Sequence, residues 1–137
     1  LARELPRKVY RLTKKSGFAK DYGLKRQTRL PDGGQVQDAA GSSMHNIAEG
    51  FDSETNAEFI RFLRYAKRSC TEVQSELYVA LDEEYISPNE FKDVYEQADE
   101  SRKSGTAIRG FINYSFDLEA LDRLNKYEEH KQTNREP

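Results

Sequence analysis

The chain has a single cysteine, Cys70, so no disulfide can form within it and its stability has to come from an apolar core. Tryptophan is absent, and the 137 residues include only four prolines, which leaves room for long uninterrupted helices. No apolar run approaches the roughly 18 residues of a membrane span. No basic-then-apolar leader opens the chain either, so the expected location is the cytoplasm, with a truncated or processed start at Leu1. Of the two histidines, His45 has no Cys or Asp at ligand spacing and His130 lies near the end, so the sequence offers no pattern for a metal or a cofactor. Hydrophobic residues make up 36% and charged residues 34%, so the apolar side chains must be gathered on narrow stripes, which favours helices. A chain of this length suits one domain.

The stretch from Asn46 to Leu81 organises the rest. Phe59, Leu63, Ala66, Cys70, Val73, Leu77 and Ala80 recur at alternating spacings of four and three, the seam of a helix packed on other helices. Cys70 on that seam reads as a small core residue rather than a reactive thiol. Thr55 and Glu58 stand at capping-box spacing, which predicts a helix from there to about Glu84, about 40 Å long. A further helix starts with Ser87 as cap, Pro88 in the first position, Glu90 reaching back and Ile86 stapled to Phe91. It should run to about Tyr114, with Phe91, Val94, Tyr95, Ala98, Gly105, Ile108 and Ile112 inward. Beyond Asp117, Leu118, Leu121 and Leu124 allow a short helical extension, and HKQTNREP reads as a polar, disordered end.

Upstream, Leu5, Val9 and Leu12 predict an amphipathic first helix from about Arg7 to Lys15, ended by Ser16 and Gly17. A second helix is expected from near Gln35, with Val36, Ala39, Ala40, Ser43 and Ile47 inward, until Gly50 stops it. Its small residues from Ala39 to Ser43 permit close helix approach and do not signal a serine nucleophile. Residues 16–34 form a long link that closes on Pro31, Asp32, Gly33 and Gly34. Asn46 and Glu49 share a face in the last turn of the second helix, where a carboxylate needs a cation, and Arg61, Arg64 or Arg68 are the expected answers.

Net charge is only -2, but residues 1–30 carry ten Lys or Arg against Glu4 and Asp21, while residues 52–100 carry thirteen acids against five bases. A basic end of that kind attracts phosphate backbones, or the acidic region of a neighbouring copy. The candidate nucleic-acid-binding residues are therefore Arg3, Arg7, Lys8, Arg11, Lys14 and Lys15 at the basic N-terminal end, with Lys25, Arg26 and Arg29 in the link. Eight tyrosines could stack on bases, although amphipathic rings at helix interfaces account for them as well.

Gln35 to Leu77, with Ala39, Ser42, NIAEGF at 46–51, EFIRFLRYAK at 58–67, Ser69 and Glu72, followed by Tyr85, Ile86 and Ser87, resembles the bacterial four-helix-bundle proteins encoded in intervening sequences of 23S ribosomal RNA genes. The resemblance extends more weakly over about residues 7–115. It implies an all-α, up-and-down antiparallel four-helix bundle that assembles into a cyclic homo-oligomer, a pentamer, without catalysis. Residues 1–116 would be the bundle domain, with a long link between its first two helices, and 117–137 the helical extension and polar tail. The matching motif residues, Asn46, Glu49, Gly50, Phe59, Phe62, Leu63 and Ser69, would then serve fold and assembly. The chain is also similar to the accessory variability proteins of diversity-generating retroelements, which implies reverse transcriptase and nucleic acid as partners. Two departures stand out: Asp38 replaces a residue that is commonly basic in the family, and the link is longer, so that Lys25, Arg26 and Arg29 could replace the lost charge.

Three functions compete. The first is a nucleic-acid-associated assembly, in which basic residues repeated around a ring add up to a strong field. The second is a structural or protein-binding scaffold, in which basic and acidic regions of adjacent copies neutralise each other. The third is a ribonuclease of the helical HEPN type, suggested by Arg123 and His130 with six residues between them. The residue after Arg123 is Leu where that motif has a polar one, and the pair lies in the tail, so the chain is read as non-enzymatic.

Overall fold

The computed structural model describes residues 2–21 and 36–133, without the side chains of Phe116 and residues 128–133. The described residues form five helices and no strand: α1 Glu4–Leu12, α2 Ser16–Lys20, α3 Val36–Phe51, α4 Asn56–Asp82 and α5 Pro88–Thr133. The class is all-α. None of the helices is long and apolar enough to cross a membrane, among the described residues.

The seam of α4 is buried from Leu63 through Ala66, Cys70, Val73 and Leu77 to Ala80, with Phe59 at its margin. It packs on α3 on one side and α5 on the other, while α1 packs on α3 and α5. Val36, Ala39 and Ala40 of α3, Val94 and Ala98 of α5, and Leu5, Val9 and Leu12 of α1 complete one core with it. In the middle of α4, burial pushes the Cys70 thiol up to about 11, so it is a protonated core side chain at neutral pH.

Capping chemistry fixes the turns between the long helices. Glu58 N–H donates to Thr55 Oγ1 at 3.2 Å at the start of α4. At the start of α5 the box is reciprocal: Glu90 N–H donates to Ser87 Oγ at 3.2 Å, and Ser87 N–H donates to Glu90 Oε2 at 2.8 Å. The intervening end of α4 closes by Tyr85 N–H to the Ala80 carbonyl at 2.9 Å and Glu84 N–H to the Leu81 carbonyl at 3.0 Å. That is the two-bond helix end that normally places glycine at its left-handed position, and here Glu84 takes it with φ 56°.

Four expectations need correction. The first helix begins at Glu4 and ends at Leu12 rather than spanning Arg7 to Lys15. The link from residue 16 is not irregular throughout: Ser16–Lys20 is a short helix whose Phe18 is buried against Tyr85, with ring centroids 5.8 Å apart. Gly50 does not stop α3, which continues to Phe51 with no glycine at positive φ. Its role is clearance, because a Cβ at Gly50 would lie 2.7 Å from Phe59 Cδ2 and 3.2 Å from Phe62 Cβ. Finally, α5 does not pause near Tyr114 but continues as one helix through His130 to Thr133. Without a glycine or proline between Gly110 and Thr133, nothing in that stretch interrupts the backbone ladder.

Candidate nucleic-acid interface

The first helix is short and basic, and its apolar stripe decides which bases look outward. Leu5, Val9 and Leu12 are buried, so Arg3, Arg7, Arg11 and Lys14, at spacings of four, four and three, share the opposite, exposed side. Arg7 lies 3.7 Å from Glu4 within the same helix, both well exposed. Arg3, Arg11 and Lys14 have no acid partner among the described residues. Tyr10 stands half exposed in the same row.

The other two bases of this basic end, Lys8 on α1 and Lys15 beyond it, are engaged. Lys8 Nζ donates to Asp93 Oδ1 at 2.7 Å, and Lys15 Nζ donates to both oxygens of Glu90 at 2.6 and 2.9 Å. The Lys15 ammonium, together with the Ser87 N–H, holds the Glu90 carboxyl below its ordinary value. The acidic region therefore answers part of the basic end inside one chain, an arrangement that neither of the two readings of the sequence, phosphate backbones or a neighbouring copy, included. Lys25, Arg26 and Arg29 lie outside the described residues.

A buried polar bridge sets α1 against α3. Gln37 Nε2 donates to Thr13 Oγ1 at 2.7 Å, and Thr13 Oγ1 donates to the Tyr10 carbonyl at 3.1 Å. Both side chains are buried, so the bridge places the end of α1 at the start of α3 and leaves neither group unsatisfied.

The motif residues gather at the opposite end, where α3 turns into α4. Phe59 packs on the exposed Phe51 with centroids 4.9 Å apart, Phe62 meets Tyr65 edge-on, and Leu63 and Ser69 are buried. Asn46 Nδ2 donates to the Ser42 carbonyl at 2.8 Å and to Ser42 Oγ at 3.1 Å, so its amide serves α3 itself. Glu49 is exposed and makes no ion pair with Arg61, Arg64 or Arg68 among the described residues, which corrects the expected partnership. Arg61 instead lies 3.8 Å from Glu58 and 5.9 Å from the Phe62 ring centroid.

Two groups of residues escaped the sequence reading because they exist only across a helix pair. Tyr78 of α4 meets Phe91 and Tyr95 of α5, with centroids 5.0 and 5.8 Å away. Farther along the same pair, Arg64, Lys67 and Arg109 line one shallow groove with Leu63, Gly105 and Thr106. No signal in a single heptad could have brought Arg109 to Arg64, 45 positions away.

Arg123 is exposed and paired with Glu119 at 3.3 Å, and the His130 side chain lies outside the described residues. Among the described residues no three His, Cys, Asp or Glu side chains cluster as metal ligands would.

Comparison with curated proteins finds no match for this chain. The motif that ties α3 to α4 through Gly50 and Phe59, with helices α1 to α4 and the first part of α5, falls within residues 1–107, over which the chain matches the model of one protein family. It belongs to the 23S rRNA-intervening sequence protein family.

Proposed function

We propose that α1, α3, α4 and α5 form an up-and-down antiparallel four-helix bundle that acts without catalysis. In this reading it assembles as a cyclic homo-oligomer, a pentamer, and associates with RNA or DNA through the outer side of α1. A cytoplasmic setting suits its one buried thiol. The observation that supports the reading is the exposed row of Arg3, Arg7, Arg11 and Lys14, which remains cationic after Lys8 and Lys15 are taken up by α5. From Arg3 to Lys14, on α1 and the turns that flank it, the row spans about 16 Å, a length that covers several phosphates of a nucleic-acid strand. Repeated around a ring, five such rows sum to a field that the small net charge of each chain conceals.

The test is binding of the purified protein to a structured RNA and to duplex DNA across a salt series, with assembly followed by sedimentation in the same buffers. Arg3, Arg7 and Arg11 changed together to Gln should weaken binding and lower the salt slope by roughly 0.9 per lost contact on duplex DNA. Assembly should be unchanged. No binding at low salt by an intact oligomer would remove this reading.

A second reading is favoured by the two ion pairs between α1 and α5. If the acidic side of α5 in one copy also meets the residual row of the next, the basic charges serve assembly, and the protein is a scaffold such as an accessory partner of a reverse transcriptase. The triple Gln variant would then dissociate the oligomer instead of sparing it.

A further inference from the structure

We propose that Arg64, Lys67 and Arg109 form a binding site for a phosphate group in the groove between α4 and α5. The three side chains line one depression together with Leu63, Gly105 and Thr106. Its floor is shallow because the two helices approach closely there. Gly105 is buried, and even an added Cβ would stand only 3.9 Å from the Leu63 carbonyl oxygen. Small residues on α5 thus leave three long cationic chains as the rim of the groove.

None of the three is answered from within the chain among the described residues. On α5, Asp99 is held by Arg102 at 2.6 Å and by Lys103 at 2.6 Å, and Glu100 makes no ion pair with the three cations among the described residues. The acid in the first turn of α4, Glu58, lies 3.8 Å from Arg61. Thr106 Oγ1 spends its proton on the Arg102 carbonyl at 3.2 Å, so donors in the groove come from the cations alone.

Ligand class follows from that donor set. A carboxylate has two coplanar oxygens, which one guanidinium satisfies. A phosphate carries more charge and spreads its acceptors tetrahedrally, so it can take a planar fork from each arginine and a point charge from the lysine at once. Like charges brought to one groove without a carboxylate among them gain most from an oxyanion of this shape. The groove is also remote from the α1 row. Lys8 contacts α5 at Asp93, and Gly105 is about 18 Å farther along the helix. The site therefore does not depend on the α1 reading. Arg109 lies beyond residues 1–107, so the family match does not supply the site.

The test uses the full chain with two probes. Equilibrium dialysis against labelled orthophosphate, at ionic strength held constant with chloride, reads the group itself, and anisotropy of a labelled single-stranded RNA reads a phosphodiester source. Arg109→Gln and Lys67→Gln are surface changes, and circular dichroism checks that helicity is kept. Saturable orthophosphate binding that weakens about tenfold in either variant is expected. If RNA binding falls with it, the ligand is a nucleic-acid phosphate, and if it does not, a free phosphate. The Arg3, Arg7 and Arg11 to Gln variant runs in parallel and should leave orthophosphate binding intact, so loss of the α1 reading and loss of this site give different results. Binding that is unsaturable, or that Arg109→Gln and Lys67→Gln leave unchanged, overturns the proposal.

Discussion

The two halves of α5 are built from similar residues and end in opposite environments. Between Pro88 and Ile112 the apolar positions other than Phe111 turn inward: Val94 and Ala98 are buried, and Ile108 and Ile112 are partly so. From Phe111 onward they turn outward, with Phe111 72%, Leu121 55% and Tyr127 67% exposed. The difference lies in what runs alongside. Tyr78 of α4 sits by Phe91 and Leu63 by Gly105, so α4 has ended by about residue 112 of α5. The second half then continues for about 30 Å without a neighbouring helix among the described residues. At 100° per residue, Tyr114, Leu118 and Leu121 also fall on the side of the helix away from Val94, Gly105 and Ile112. Burial is decided by the partner, and a helix continues without one when its own ladder and its i,i+4 pairs suffice. Glu119 with Arg123 and Asp122 with Lys126 are such pairs.

The largest expected effect is in the packed half. Val94 is 2% exposed, and Val94→Ala should cost about 2 kcal/mol of unfolding free energy, because transfer energy is lost and a cavity remains in a core shared by α1, α4 and α5. Denaturant melts of the purified protein measure it, and a cost near that of a surface change would mean that the α5 core is looser than its burial implies.

A middle-sized effect belongs to the cap that starts that half. Ser87→Ala removes the acceptor of the Glu90 N–H and should cost about 1 kcal/mol. Glu90 adds a pH dependence whose sign is set by its depressed carboxyl. In the folded chain it is ionised below the ordinary value of 4.5, so its contribution is full above that value and is lost as pH falls through the folded one. Glu90→Gln should therefore destabilise at neutral pH and lose its effect in acid once pH has fallen through the depressed folded value, where the wild-type carboxyl is protonated too. Asp99, depressed by Lys103 and Arg102, titrates in the same direction and serves as the background against which the Glu90 difference is read.

Much of this architecture was legible in the sequence because it is local or periodic. The seam from Leu63 to Ala80 and the caps at Thr55 and Ser87 depend on residues three or four apart. What could not be read depends on contacts between distant positions. Phe18 is buried only because Tyr85 meets it, and a five-residue helix is too short to show a period. Gly50 reads as a stop until the Phe59 ring is seen over it. Lys8 and Lys15 read as members of a free basic face until Asp93 and Glu90 are brought across to them. The groove of Arg64, Lys67 and Arg109 requires the register of α4 on α5, which no spacing encodes. The second half of α5 failed for another reason: Asp117 and the polar residues after it resemble an end, yet neither glycine nor proline enforces one.

The smallest effect should come from that second half. Ending the chain after Phe116 removes Leu118, Leu121, Leu124 and Tyr127, all exposed, together with the Glu119–Arg123 and Asp122–Lys126 pairs. Because these side chains leave water little when the helix forms, their deletion should change the unfolding free energy by no more than about 0.5 kcal/mol. Helicity by circular dichroism should fall in proportion to the residues removed while the melting midpoint stays in place. A large loss of stability on truncation would mean that the exposed stripe is covered in solution. The contrast between the halves would then be one between burial within a chain and burial between chains, and repeating the melts over a range of protein concentration would separate the two, since only the second depends on it.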